Sequence, residues 1–320
     1  MELGGIVAEQ VIIIFGLIMI GFFMAKKKML GEKGVKDMTT VLLYVVTPCV
    51  LLKSYNKPFD ASQAKQLVMA AFFTVVVHII AIVISTLVFM KKDDKLRYRV
   101  NIFSSVYSNC GFMAIPLMSA AMGDIGVFYG SMYLAMFTVI YWIHGVYVCT
   151  GGDKKEISLK KCFLNPGFIG TVVSMILFAT GAGVREYNAP VQTVVTTVYN
   201  VIEYMSGLNT PLAMIVLGYY LANVNFIKAL KKPSIYIVSL LRLLVVPILA
   251  IGIAFVIRLD PDVAKSVIIP AACPTATLAT MFAARFNLDA QHASEMVSFS
   301  TLLSIVTIPM VVMLAEMVIK

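Results

Sequence analysis

The sequence predicts an all-α membrane protein of ten transmembrane helices arranged as two inverted five-helix repeats. Three observations carry this prediction: an apolar composition, a one-sided distribution of lysine and arginine, and a fixed offset relating helix breakers in the two halves. Of the 320 residues 60% are hydrophobic and 13% charged, and the mean hydropathy is +0.89. Such a chain is solvated by lipid rather than water. A span takes about 20 mostly apolar residues, so ten spans with short connections use nearly the whole sequence.

Span one covers 6 to 25. Glu2 and Glu9 precede its apolar run and Lys26, Lys27 and Lys28 follow it, the reverse of a cleaved signal peptide, so this helix is expected to stay with its N-terminus outside. Spans two to five are expected at 36 to 55, 65 to 90, 98 to 121 and 125 to 150. Spans six to ten follow at 166 to 184, 195 to 222, 233 to 257, 263 to 285 and 293 to 319. The first repeat is then 1 to 150, a short cytoplasmic linker 151 to 162, and the second repeat 163 to 320.

Basic residues sort by loop. Eighteen fall after spans one, three, five, seven and nine, among them Lys91, Lys92 and Lys228; seven, Lys320 included, fall on the other side, and Arg242 alone lies inside a span. The positive-inside rule places the 18-charge side in the cytoplasm and both termini outside the cell or in the periplasm. The net charge of +9 thus concerns topology in a cell membrane and not nucleic acid. Cys49, Cys110, Cys149, Cys162 and Cys273 have no metal-type spacing and lie in or beside apolar stretches, so they read as reduced, buried side chains. No metal or cofactor is expected.

The offset is 163 residues. It carries Thr47-Pro48 in span two onto Thr210-Pro211 in span seven, and Ser108 to Gly111 in span four onto Ala271 to Pro274 in span nine. Five helices per repeat give the two halves opposite orientations. Span four holds Asn109, Gly111 and Pro116 in mid-membrane, and span nine holds Pro270 and Pro274 followed by Thr275 and Thr277. Proline lacks an N–H and clashes with the preceding turn, and glycine relaxes the backbone, so both spans are expected to break. Free backbone groups at that depth are tolerated where they line a cavity, and a half-helix N-terminus there favours a carboxylate. The alternative for any single proline is a simple bend.

Asn109 is the leading candidate ligand, with capping of the broken helix as its alternative. Cys110, Gly111, Pro116, Pro270, Pro274, Thr275 and Thr277 are expected around the same site, although the two threonine hydroxyls could instead bond back to their own turn. Tyr141 and Trp142 could stack on a flat substrate or simply pack. Pro48, Gly207, Asn209, Thr210 and Pro211 are read as breaks in the supporting spans. Glu203, Arg242 and His78 are the candidates for ion coupling, since ionisable groups inside spans are costly; if Glu203 and Arg242 pair, they are structural. His144 is a further buried-ring candidate, and Glu295 is expected at the start of span ten, where a carboxylate suits the helix dipole.

These motifs resemble the auxin efflux carrier family, which includes plant auxin exporters and bacterial carriers described as malate or malonate permeases. The resemblance rests on SNCGFMAIPL in span four, Asn165-Pro166, NTPLAMIVLGYYLA in span seven, IPAACPTATLAT in span nine and STLLSIVTIP in span ten, and it covers essentially the whole chain. It implies that broken spans four and nine cross, that a substrate carboxylate meets the crossing, and that a scaffold of spans one, two, six and seven supports a moving unit in an elevator mechanism. The long central loop of plant exporters has no counterpart here, since only 151 to 162 join the halves.

The expected function is a secondary transporter of a small organic anion. Its partners would be that anion, the lipid bilayer, a coupled proton or sodium ion, and a second copy in a homodimer. The alternative is a non-transporting membrane sensor that binds a metabolite or lipid in the same cavity; tight binding without flux would distinguish it. An enzyme is disfavoured by the lack of a His-Glu metal motif or a Ser-His pair at a known spacing, and a P-loop for direct ATP drive is missing.

Overall fold

The computed structural model describes residues 2–90, 95–223 and 230–319. Lys91, Lys92, Lys228 and Lys320, used above to orient the chain, lie outside the described residues. All regular elements among the described residues are helical. Seven of these helices are long and apolar enough to cross a membrane, or eight if the bent pair Lys154–Phe163 and Pro166–Thr180 forms one span.

In chain order the helices are α1 (Glu2–Lys26), α2 (Glu32–Ser54), α3 (Ala61–Phe89), α4 (Lys95–Val106), α5 (Cys110–Thr150) and α6 (Pro166–Thr180). There follow α7 (Ala189–Gly207), α8 (Asn209–Ala222), α9 (Pro233–Val256), α10 (Pro261–Ala272), α11 (Leu278–Arg285) and α12 (Ala290–Val318). Several begin a few residues before the apolar runs do, because a side-chain cap lets the first polar turn become helical. Asp60 accepts from Ser62 N–H at 2.7 Å to open α3, and Asp289 accepts from His292 N–H at 2.9 Å to open α12. Asn165 accepts from Gly167 and Phe168 N–H, with Pro166 in the first turn of α6.

The prolines inside the long helices produce a specific defect. π-helical turns occupy Leu42–Val46, Cys110–Ala114 and Leu241–Val245, and Pro48, Pro116 and Pro247 follow each by two residues. A proline cannot donate to the preceding turn, so the ladder widens by one residue ahead of it. The fourth π turn, Tyr141–Gly145, has no such proline. Helix α5 also holds Gly123 at φ 65° and ψ −153°, a left-handed conformation open to glycine, where the sequence places the connection between spans four and five. Between α7 and α8 the interruption falls at Leu208.

Packing is tightest where α1 crosses α8: a β-carbon on Gly21 would meet the Ile215 backbone, and one on Gly218 would meet the Ile18 carbonyl oxygen. In contrast, no residue of α7 is buried. Glu295 differs from its sequence reading. It is buried in the second turn of α12, and its carboxylate pairs with Lys232 Nζ at 2.5 Å, joining α12 to the residue that precedes α9. A buried carboxylate needs such a partner, and the dipole alone would not supply it.

Candidate functional site

The chain is interrupted between α4 and α5 at Tyr107 to Asn109, and between α10 and α11 at Cys273 to Thr277. The two interruptions meet as an isolated antiparallel bridge between Ser108 and Thr275. Asn109 N–H donates to the Pro274 carbonyl at 2.7 Å, and Ala276 N–H donates to the Tyr107 carbonyl at 2.9 Å. Backbone groups freed by the breaks therefore satisfy one another across the crossing. At the 163 offset Cys110 falls on Cys273, whereas the second half-helix opens at Leu278, five residues on. The second break is longer than the first.

Thr275 is wholly committed to this junction: its N–H donates to the Ser300 hydroxyl at 3.1 Å and its own hydroxyl to the Ser104 carbonyl at 3.0 Å. Pro270 and Pro116 are buried in the helices flanking the breaks, and the Pro270 carbonyl accepts from Cys273 N–H at 3.2 Å. Arg242, 1% exposed, donates to the Val106 carbonyl at 2.6 Å, to the Ser105 carbonyl at 3.5 Å and to the Ala271 carbonyl.

A cavity of about 210 Å³ adjoins the crossing. One wall is formed by Thr39, Leu43, Tyr44 and Thr47 of α2 with Asn165 to Gly167 at the start of α6. The cavity is also lined by Ser108 to Phe112, Ala276 to Leu278 and Met281, and by Leu134, Phe137, Thr138 and Tyr141 of α5. The N-terminal ends of three helices border it, those of α5, α11 and α6; Asn165 caps the first-turn N–H groups of α6, so those without intrahelical acceptors are presented by α5 and α11. No Asp, Glu, Lys, Arg or His side chain is among the lining residues. Its electrostatics are thus set by the positive ends of helix dipoles.

Asn109 is 2% exposed and makes no side-chain cap bond, and its Nδ2 has no partner. Thr47 Oγ1 and Thr39 Oγ1 are likewise buried without partners. An unpartnered amide donor is costly to bury, and here it belongs to a residue that lines a cavity. Of the residues singled out in the sequence, Asn109, Cys110, Gly111, Thr277 and Tyr141 line this space; Pro116, Pro270, Pro274, Thr275 and Trp142 do not. Trp142 packs on Tyr141 and Phe282, with Lys161 and Arg285 near its ring face.

The supporting positions are separate. Pro48 lines a neighbouring groove with Tyr44, Pro166 and Gly170, while Gly207, Asn209, Thr210 and Pro211 surround the α7–α8 interruption and do not line the main cavity. Glu203 does not pair with Arg242; it is exposed and meets Lys53 Nζ at 3.3 Å. His78 is buried among Tyr107, Tyr133 and Phe137, and its Nδ1 faces the Thr74 carbonyl at 2.8 Å, so the proton sits on Nδ1 and Nε2 is left without a partner. His144 Nδ1 meets the Tyr107 hydroxyl at 2.8 Å. Sequence reasoning missed Thr47, Asn165 and Ser300 as site-forming residues. The signal for Asn165 was the Asn-Pro pair that opens α6, and for Thr47 its position before Pro48.

Comparison with known proteins gives a consistent picture. A family model described as "Membrane transport protein" matches residues 6–152 and 150–312. An uncharacterized transporter of Methanothermobacter thermautotrophicus is 24% identical over 94% of this chain and 96% of its own length. Another, of Methanocaldococcus jannaschii, is 22% identical over 94% and 96%. A Rhizobium meliloti protein named "Putative malonate transporter" is 20% identical over 92% and 91%. With its multi-span helical fold and a family match running through nearly its entire length, the chain belongs to the membrane transport protein family of the auxin efflux carriers.

Proposed function

We propose that this protein is a secondary carrier for a small organic anion, which it binds by a carboxylate at the crossing and exposes alternately to the two sides of the membrane. The observation that carries this reading is Asn109: a buried, unpartnered amide donor in an uncharged cavity bordered by three helix N-termini. A carboxylate would accept from Asn109 Nδ2 and from first-turn N–H groups of α5 and α11, and the apolar walls would hold the rest of the molecule. The malonate named for one relative is an acid of this kind.

The proposal includes the ten-span, two-half architecture. Helix α4 and the first part of α5 up to Gly123 make one broken span, the rest of α5 the next, and α10 with α11 a second broken span in the other half. The 18-charge side faces the cytoplasm and both termini face outward. The wall of α2 and α6, with α1 and α7–α8, is the scaffold; the crossing and its surrounding helices move past it. The unburied face of α7 is where two copies would pair.

The test is uptake of labelled malonate, malate and indole-3-acetate into proteoliposomes under imposed voltage. Saturable flux of at least one acid is expected, with Asn109→Ala raising the half-saturating concentration about tenfold or more, the usual worth of one hydrogen bond to a charged group. Saturable binding of an acid without flux would overturn the carrier reading.

A further inference from the structure

The crossing brings the C-terminal ends of two helices together, and the residues that end them do not line the cavity. Helix α4 ends at Val106 and α10 at Ala272, so the free carbonyls of Ser105, Val106 and Ala271 belong to the last turns of two half-helices that end at the same place. Each such end carries about half a negative charge, and together they amount to about one unit in a medium where no water is at hand to screen it. A single guanidinium, carried by the π turn of α9, donates to all three carbonyls. Among the described residues no carboxylate is within ion-pair distance of Arg242. Its counter-charge is the pair of helix ends.

In secondary carriers with discontinuous helices, half-helix C-termini and unwound carbonyls are the groups that hold a coupling cation. Here those carbonyls are already taken by a cation that is covalently part of the chain and keeps its charge at any ordinary pH. We propose that Arg242 permanently occupies the place of a coupling sodium ion, neutralising the C-terminal ends of both half-helices and holding the crossing together, so that anion movement does not draw on a sodium gradient. Arg242 acts through the crossing as a positioning residue and touches no substrate. The transport part of this inference rests on the carrier reading above; the cation part stands on the guanidinium geometry alone.

The two parts are tested separately. Thermal unfolding of the purified protein in detergent is compared in sodium chloride and in N-methyl-D-glucamine chloride, each at about 100 mM, because a ion that binds only the folded state raises Tm by mass action. Wild type is expected to show the same Tm in both salts. Arg242→Ala, with the carbonyls open and uncompensated, is expected to unfold at lower temperature and to regain about 3 °C or more in sodium. Arg242→Lys, which restores a fixed charge, should again ignore sodium. Should Arg242→Ala not be recovered folded, Arg242→Gln, neutral but still a donor, carries the same expectation.

A sodium-dependent rise in wild-type Tm, or a folded neutral variant indifferent to sodium, overturns the proposal. In proteoliposomes, wild-type flux of malonate or indole-3-acetate should be equal with and without an inward sodium gradient, and sodium-driven accumulation overturns it too. Absence of flux for every acid tried would defeat the carrier reading while leaving the Tm comparison to decide the role of Arg242.

Discussion

At the scale of single residues, the environment of a side chain decides more than its type. Asn109 was legible because an amide in mid-span must have a use, and because glycine and proline beside it announced broken backbone. Its isosteric Asn109→Asp variant should abolish anion flux at neutral pH, since it replaces the unpaired donor with a charge of the substrate's own sign; retained flux would remove Asn109 from the site. Lys57 was not legible. It reads as one loop lysine among several, yet its ammonium lies 3.3 Å from the centre of the Phe128 ring, with Tyr129 and Phe178 at 6.0 Å. Burial among these rings lowers its pKa to about 8, with Asp124 and Asp60 pulling the other way. The folded value lies below the ordinary lysine value of about 10.4, so the unfolded chain binds more protons between the two. The penalty for keeping Lys57 charged is therefore full below pH 8 and disappears as pH rises toward 10. A titration of ¹³C-methylated lysines by NMR should show one resonance with a midpoint near 8 that is lost in Lys57→Met; a full set of midpoints near 10 would contradict the burial.

At the scale of elements, hydropathy located the helices but not their ends or defects. The starts of α3 and α12 moved by a few residues because Asp60 and Asp289 cap polar turns that no apolar run reveals, whereas the start of α6 at Pro166 fell where the sequence placed it. Proline positions did announce defects, but the widened π turn ahead of Pro48, Pro116 and Pro247 depends on how the ladder relaxes around a missing donor. The two helices related by the fixed offset are the ones whose breaks meet, and the backbone bonding of Asn109 with Pro274 sets the register there. The contact of α1 with α8 was wholly hidden, because a glycine in an apolar helix gives no sign of what approaches it. At Gly218 a side chain would collide with the Ile18 carbonyl, which belongs to a helix backbone and has no rotamer to change. Gly218→Val should accordingly lower Tm markedly, by more than the ~1–3 kcal/mol of ordinary overpacking, whereas Gly16→Ala, with open space around it, should be close to neutral. Comparable unfolding of the two variants would show that α1 and α8 are not in backbone contact.

At the scale of the whole molecule, the proposed mechanism puts the cavity between a scaffold and a moving unit. Its α2 and α6 wall is contributed by the proposed scaffold, and its other wall by the crossing, which is knitted internally by the bridge at Ser108 and Thr275, by Arg242 and by the Lys232–Glu295 pair. If transport is movement of one body past the other, a link across the cavity must stop it and a link within the moving body must not. Thr47 of the proposed scaffold and Thr277 of the proposed moving unit line the same space, whereas Arg97 and Asp289, an ion pair at 3.2 Å, both belong to the proposed moving unit. With Cys49 and the cavity-lining Cys110 replaced by serine and the other three cysteines retained, Thr47→Cys/Thr277→Cys treated with a short bifunctional thiosulfonate should lose flux and recover it on reduction. Arg97→Cys/Asp289→Cys, treated in the same way, should carry substrate with the link intact. Flux that survives the first link would mean that the anion passes without relative motion of the two bodies, and the elevator would have to give way to a fixed pathway through the crossing.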